Sequence, residues 1–167
     1  MSAASRWAAA AVVALALAGA WTWWNSPERQ IRRTLDTLAN GLSHDEVASP
    51  LGAVSAVAEM QPLLADDVVV EPGGRLEAIR GRTAVLAAAA RVRTAVPALR
   101  LVFIDVTVTL SEDRSTATVV GTVSAEVTDR AGQPRTDGRE FTAEMRRVEG
   151  RWIVAAARAI EALEPVS

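Results

Sequence analysis

The chain contains no cysteine, no lysine and no tyrosine. Without cysteine it can form no disulfide framework and has no thiol for a lipid anchor. Without lysine it has no Schiff-base amine and no phosphate-loop lysine, and without tyrosine it lacks a phenol donor. These three absences exclude lipoproteins and several classes of enzyme.

The chain also has no large excess of charge of either sign. The 18 basic residues are all arginine, the 20 acidic residues nearly balance them, and the formal net charge is −2. The two signs are mixed along the chain instead of forming a basic block, so nucleic acid is not a predicted partner. The sequence predicts no cofactor and no metal site.

Residues 7–27 carry no charged side chain, and residues 8–20 are built from Ala, Val, Leu and Gly alone. Three tryptophans follow this run, as in an interfacial aromatic belt. As a helix at about 1.5 Å per residue, residues 7–24 would extend about 27 Å, enough for a thin bilayer. We therefore predict one N-terminal hydrophobic helix that contacts the membrane through residues 7–24. The alternative is a signal peptide cleaved near Ala20, because small residues precede that position.

Arginines flank both sides of this segment, Arg6 before it and Arg29, Arg32 and Arg33 after it. The short basic stretch before a short apolar run favours export of the remainder, although the later arginines oppose it. The expectation is a single-pass inner-membrane protein with its domain on the periplasmic or extracellular side, or a secreted domain if cleavage occurs. Residues 1–25 form the signal segment and residues 26–167 form one domain.

Three helices are predicted in that domain. Ser-Pro pairs at 26–27 and 49–50 supply an N-cap and a first helical proline for helices over 27–41 and 50–60. A third helix over 83–95 takes Thr83 as its cap. The apolar residues at helical spacing, which we expect to be buried, are Ile31, Leu35, Leu38 and Leu42 in the first helix and Leu51, Val54, Val57 and Ala58 in the second.

Strand patterns fill the rest of the domain. Short strands are predicted at 68–70 and 76–79, followed by long strands at 99–110, 115–127, 139–148 and 151–160. Alternation places polar, threonine-rich residues on one face of the long strands, so the other face should pack on the helices. The residues predicted on that buried face are Val102, Ile104, Val106, Val108 and Leu110, then Ala117, Val119, Gly121, Val123 and Ala125, then Phe141, Ala143, Met145 and Trp152. The fold class is α+β, with a curved antiparallel sheet packed on three helices.

Three segments carry a resemblance to a known superfamily: Asp-Asp-Val-Val-Val at 66–70, Gly-Arg-Thr-Ala-Val at 81–85 and Gly-Arg-Trp at 150–152. With the order of elements, they resemble the nuclear transport factor 2-like, or SnoaL-like, superfamily over residues 27–163. The resemblance implies a cone-shaped fold with a pocket between sheet and helices, and homodimers through the exposed sheet face. It implies no single reaction, because the superfamily includes isomerases, dehydratases, cyclases, binding modules and assembly proteins.

Few residues suggest chemistry. The single histidine, His44, lies beside Asp45 and Glu46, which is compatible with a His–carboxylate base, but an exposed position at a helix start is the favoured interpretation. Asp66 and Asp67 either bind a hard cation or face water at a strand start; the sequence shows no third ligand near them.

One cation is ambiguous. Arg158 lies at the pocket end of the last strand if it shares the face of Trp152, Val154 and Ala156, and it would then bind an anion or a carboxylate. The alternative, which we favour, is that its side chain extends outward into solvent.

Two functions of different class remain. The favoured one is a membrane-tethered, non-enzymatic binding or assembly module with an apolar ligand pocket lined by Met60, Phe141, Met145 and Trp152. The alternative is a small SnoaL-like acid/base enzyme of isomerase, cyclase or hydrolyase type acting on a hydrophobic substrate, with Glu71 or Asp67 as general base. No catalytic residue is assigned. A dry cavity would favour the first function, and a buried carboxylate with a raised pKa would favour the second.

Overall fold

A computed structural model describes residues 26–74, 76–129 and 131–160. Its helices are α1 (Pro27–Leu42), α2 (Pro50–Ala58) and α3 (Arg82–Ala95), with a 3₁₀ turn at Gln61–Leu63. Its strands are β1 (Leu64–Glu71), β2 (Ile79–Arg80), β3 (Ala98–Leu110), β4 (Thr116–Thr128), β5 (Pro134–Val148) and β6 (Arg151–Ile160). The predicted N-terminal hydrophobic helix lies outside the described residues. None of the helices within them has the length and apolarity needed to cross a bilayer.

The six strands form one curved sheet in the order β2-β1-β6-β5-β4-β3. Helix α1 packs on β3 and β6, α3 packs on β1, and α2 packs on α3. The predicted α+β class, with three helices on one sheet, is confirmed. The prediction that the sheet is entirely antiparallel is wrong at one pair, because β1 runs parallel to β6. The chain between these two strands includes α3 and the β3–β5 meander, so their pairing is not set by a local turn.

Helix α1 agrees closely with its prediction. The Ser26 hydroxyl accepts a hydrogen bond from the Arg29 amide, and Pro27 occupies the first turn, so the predicted start is confirmed. Ile31, Leu35 and Leu38 are buried against the sheet. Charged residues occupy the opposite side of this helix, so only the apolar side can pack on the sheet.

Helix α2 begins where predicted, with the Ser49 hydroxyl accepting from the Gly52 amide at 3.1 Å. The predicted buried face is wrong in part. Ala53 and Val57 are buried, whereas Leu51 is 81% exposed, Val54 is 58% exposed and Ala58 is also exposed. Because the helix contains no charged residue, its sequence does not distinguish the face that packs from the face that does not.

Helix α3 starts one residue earlier than predicted. Its N-cap is Gly81, with φ of 86°, and the Thr83 side chain makes no capping bond. A positive φ is readily available to glycine, which lacks the Cβ that would clash. The prediction that Thr83 caps this helix is therefore corrected.

Strand β3 changes face in its middle. Asp105 has φ of 52°, and the register shifts by one residue between Ile104 and Thr107, which defines a β-bulge. Beyond the bulge Val106 is buried, but before it Val102 and Ile104 lie on the exposed face. Their predicted burial is wrong, because an extra residue in the strand inverts the alternation. The residues of the first half that pack towards the core are Leu99, Leu101 and Phe103.

A second shift lies between β5 and β6. Met145 pairs with Val154 but Glu144 pairs with Ala156, so Ala155 is the extra residue. Trp152 and Val154 face the core, whereas Arg158 pairs with Thr142 on the outer face of the sheet. The outward alternative for Arg158 is confirmed, and the physical reason is this bulge.

Candidate functional site

The four residues predicted to line a pocket lie in the hydrophobic core. Met60, Phe141, Met145 and Trp152 are all buried members of one apolar cluster. The cavities described below are lined by other side chains. The structure thus brings the four residues together, and their role as ligand contacts stays a prediction.

Trp152 is the residue of these four whose side chain carries a polar N–H group. Its carbonyl accepts a hydrogen bond from the Thr34 hydroxyl at 3.3 Å. Its indole Nε1 is buried and has no hydrogen-bond partner within the described residues. Buried donors are normally paired, because an unpaired one keeps its desolvation cost. The indole N–H is therefore a donor available to an acceptor that reaches this part of the core.

A small cavity of about 120 Å³ adjoins the cluster between α1 and β3. Arg32, Leu35, Asp36, Phe103 and Val106 line it. The Arg32 guanidinium donates a hydrogen bond to the Val106 carbonyl just after the bulge. The cavity therefore combines one guanidinium and one carboxylate with apolar walls, and its size suits a small group better than a whole organic ligand.

Phe103 connects this cavity to the predicted cluster. Its ring centroid lies 5.0 Å from that of Phe141, with the rings tilted by 58°. Sequence reasoning did not single out Phe103 or Arg32 as site residues. The even-numbered stripe predicted for β3 excluded Phe103, and no signal in the sequence marks Asp105 as the bulge that moves it inward.

The outer face of the sheet carries a wider groove of about 690 Å³. Glu71 on β1 and Arg158 on β6 form an ion pair of 2.5 Å across it. Thr142 and Glu144 on β5 line the same groove. The volume falls within the range of ligand sites, but the groove is open to solvent and its one guanidinium is already paired.

Asp67 and Asp66 also form ion pairs. The Asp67 carboxylate accepts a hydrogen bond from Arg146, and Asp66 pairs with Arg82 at 2.5 Å. Both carboxylates are largely exposed. Within the described ranges no three acidic or histidine side chains converge as metal ligands would. The proposed general bases Asp67 and Glu71 thus both contact arginine on the solvent side of the sheet.

The contacts of His44 indicate a structural role. It is 9% exposed, so the favoured prediction of an exposed position is wrong. Its Nδ1 lies 3.0 Å from the Leu42 carbonyl oxygen and its Nε2 lies 3.0 Å from the Val96 carbonyl oxygen. The backbone of His44 also exchanges two hydrogen bonds with Leu99. The hydrogen bonds of His44 therefore join the α1–α2 connection to the start of β3 and to the end of α3.

The fold and the sequence both indicate the family of this domain. The described chain is an α+β domain in which a curved six-stranded sheet covers three helices around an apolar interior. A profile of the SnoaL-like domain matches residues 55–158, more than half of the chain. The protein therefore belongs to the SnoaL-like domain family.

Solved structures show the same fold at low sequence identity. A proposed scytalone dehydratase from Novosphingobium aromaticivorans has a TM-score of 0.66 and 14% identity over 81% of this chain and 84% of that one. A proposed aromatic ring hydroxylase from the same organism has a TM-score of 0.65 and 19% identity, covering 82% and 89%. The association domain of C. elegans CaMKII has a TM-score of 0.61 and 14% identity, covering 83% and 98%. Among curated proteins none matches the sequence.

Proposed function

We propose that the chain is a membrane-tethered, non-enzymatic assembly or binding module that associates through the outer face of its sheet. The observation that carries this proposal is an exposed apolar patch on β3 and β4. Val102, Ile104 and Val120 are each between 43% and 46% exposed. Val102 and Ile104 are alternate residues of β3, and Val120 pairs with Thr107 just beyond the bulge. Contiguous exposed apolar side chains on a monomer commonly mark an interaction site.

The surroundings of this patch suit a second copy of the chain. Threonines border it on β4, and the carboxylates of Glu140 and Glu144 follow on β5. The Glu71–Arg158 ion pair lies further across the same face. A face with apolar, hydroxyl and paired charged regions can meet its own copy about a two-fold axis. The CaMKII association domain, a protein of the same fold, supports the proposal by its name.

Measuring the mass of the full chain in detergent by analytical ultracentrifugation tests the association. We expect Val120→Glu to shift the assembly towards the monomer, because a carboxylate would be desolvated at the centre of the interface. The matched control is Val54→Glu, the same change at an exposed valine of α2, which should leave the mass unchanged. A monomeric wild-type chain would refute association through this face, and so would equal effects of the two variants.

Residues 7–24 supply the proposed tether, which places the domain on the periplasmic or extracellular side of the inner membrane. Their lack of charge and the tryptophans that follow support this proposal. Protease protection in spheroplasts, with the mass of the mature N-terminus, tests it. Protection of the domain from external protease would indicate the opposite orientation, with the domain in the cytoplasm. A chain that begins after Ala20 would replace the tether with a cleaved signal.

A small apolar ligand is the second element of the binding proposal. Its contacts would be Met60, Phe141, Met145 and Trp152, next to the cavity at Phe103. The unpartnered indole N–H of Trp152 would be its polar contact.

An acid/base enzyme is the alternative function, and one observation favours it. Arg32 and Asp36 lie one helical turn apart on α1 and line the same cavity as Phe103. The cavity is too small for a whole organic ligand, but its guanidinium can hold a carbonyl group and its carboxylate can remove a proton beside that group, with the rest of the compound outside the cavity. Family membership and the neighbours named as a proposed dehydratase and a proposed hydroxylase also support it. A panel of hydrophobic carbonyl compounds should include one that is turned over by the wild type and by Glu59→Gln, an exposed control, but not by Asp36→Asn.

A further inference from the structure

Helices α2 and α3 share an exposed surface to which neither helix contributes an acidic side chain. Residues 47–58 are entirely uncharged, and the charged residues of α3 are all arginines. We call this the α2–α3 surface, and its exposed members are Val47, Leu51, Val54, Ala84, Ala87, Arg91, Val92 and Ala95. Helix faces exposed to water normally carry charges of both signs, so this surface lacks the usual composition.

The two helices form this surface jointly. The Ala48 amide donates a hydrogen bond of 3.1 Å to the Arg93 carbonyl, which places the start of α2 beside the last turn of α3. Helix α2 packs along α3. Val47 and Leu51 are thus at the end of α2 that lies beside the last turn of α3. Arg91 is exposed and forms no ion pair within the described part of the chain.

This composition differs from that of the outer sheet face. On the sheet, the exposed apolar residues lie on strands that also carry Glu126, Glu140 and Glu144. On the α2–α3 surface, the nearest carboxylates in sequence are Asp45, Glu46 and Glu59, beyond the ends of α2, and Asp66 pairs with Arg82 at the first turn of α3. Apolar side chains with arginine and without acids are typical of helices that lie in a membrane interface, because the guanidinium can reach the phosphates while its stem stays with the apolar groups.

The position of the proposed tether brings this surface within reach of lipid. Asn25 and Ser26 alone separate Trp24 from Pro27, so the start of α1 would lie about 10 Å from the end of the tether at most. Helix α1 has 16 residues, about 24 Å, and α2 lies at its C-terminal half, where Thr37 and Gly41 share a groove with Gly52. Tethering raises the effective concentration of the bilayer at such a surface.

We propose that the α2–α3 surface docks on the lipid bilayer, with Leu51 and Val54 in the interface and Arg91 at the phosphates. This inference rests on the proposed membrane tether. Docking would orient the helical layer towards the membrane and leave the outer sheet face free for association.

Because the chain contains no cysteine, a single introduced thiol can report on this surface without background. The full chain is reconstituted in vesicles of phosphatidylcholine and phosphatidylglycerol, with a polarity-sensitive fluorophore on Leu51→Cys. Thr118→Cys on the outer sheet face is the matched control, as both positions are exposed. We expect emission at position 51 to shift to shorter wavelength and to be quenched by lipids with a nitroxide near the headgroup. The label at position 118, on the face proposed for association, should not be quenched by these lipids.

A second pair of variants tests the side chains themselves. In the Leu51→Cys background, Val54→Asp should abolish the shift, because a carboxylate would have to leave water next to anionic lipid. Thr116→Asp, which introduces a carboxylate at the start of β4 outside the apolar patch, should preserve it. Both positions are exposed, and an unchanged melting temperature confirms that each variant folds.

The outcomes separate docking from tethering. Vesicle flotation reports the tether: a chain that fails to float would refute the tether and, with it, docking. A chain that floats but shows equal responses at positions 51 and 118 would overturn docking and leave the tether intact. A shift at position 51 that grows with protein-to-lipid ratio, without nitroxide quenching, would assign the surface to a second copy of the chain and overturn the lipid proposal.

Discussion

Helices α1 and α2 have equally clear start signals but very different agreement with prediction. Both begin with a Ser-Pro pair whose hydroxyl caps the first turn. In α1, charged residues such as Arg33 and Asp36 mark the solvent side, and three of the four predicted residues are buried while Leu42 is half-buried. In α2 no charge marks a side, and three of the four residues predicted to be buried, Leu51, Val54 and Ala58, are exposed. Charged residues therefore carry the information that orients an amphipathic helix, more than apolar residues do.

The largest effect is expected from a matched pair of changes in these helices. Ile31 in α1 is fully buried, so Ile31→Ala should lower the free energy of unfolding by about 2–5 kcal/mol. Leu51 in α2 is mostly exposed, so Leu51→Ala should change it by less than about 0.5 kcal/mol. Urea unfolding followed by circular dichroism measures both, and similar values would contradict the assignment of the exposed face of α2.

A smaller effect is expected at the bulge of β3, where one strand provides its own control. Val106 is 8% exposed and Val102 is 46% exposed. Val106→Ala should destabilise the domain by about 2 kcal/mol, from lost burial and a small cavity. Val102→Ala should cost less than about 1 kcal/mol. Equal losses would indicate a regular strand without the bulge at Asp105.

The smallest effect concerns the turn between β3 and β4, which lies between the strands predicted at 99–110 and 115–127. Hydrogen bonds from the Ser111 and Ser115 hydroxyls lower the pKa of Asp113 from 3.8 to about 2. Because this pKa is lower in the folded state, the turn is stabilised above pH 3.8 and loses that contribution as the pH falls through about 2. Ser111→Ala should raise the pKa towards 3.8 in an NMR titration, with little change in global stability. An unchanged pKa would show that the Ser111 bond does not form.

Burial of three of the four predicted site residues was accessible from the sequence, because they lie on strands. Phe141 and Met145 lie on a strand whose alternation is uninterrupted, and Trp152 precedes the bulge of β6. The local period of two therefore places them on the core face. Arg158 lies beyond that bulge, and the same period fails for it.

Contacts of the candidate cavity were not accessible in this way. Phe103 faces inward only because Asp105 adopts a positive φ, and Arg32 reaches β3 only because α1 crosses it. His44 is buried because Leu99 and Val96, distant in sequence, accept its bonds. Each of these features depends on a partner that local patterns do not contain.

By itself the sequence determined the order of helices and strands, the α+β class, the caps of α1 and α2 and the residues of the core of α1. These properties follow from local periodicity and from side chains that bond to their own backbone. Only the tertiary structure decided the two bulges, the parallel pairing of β1 with β6, the exposed face of α2 and the position of Arg158. Local sequence does not distinguish between alternative strand registers or between alternative packing faces of a helix. Pairing between distant strands and packing between helices make the choice, because one arrangement gives the whole core the lowest free energy.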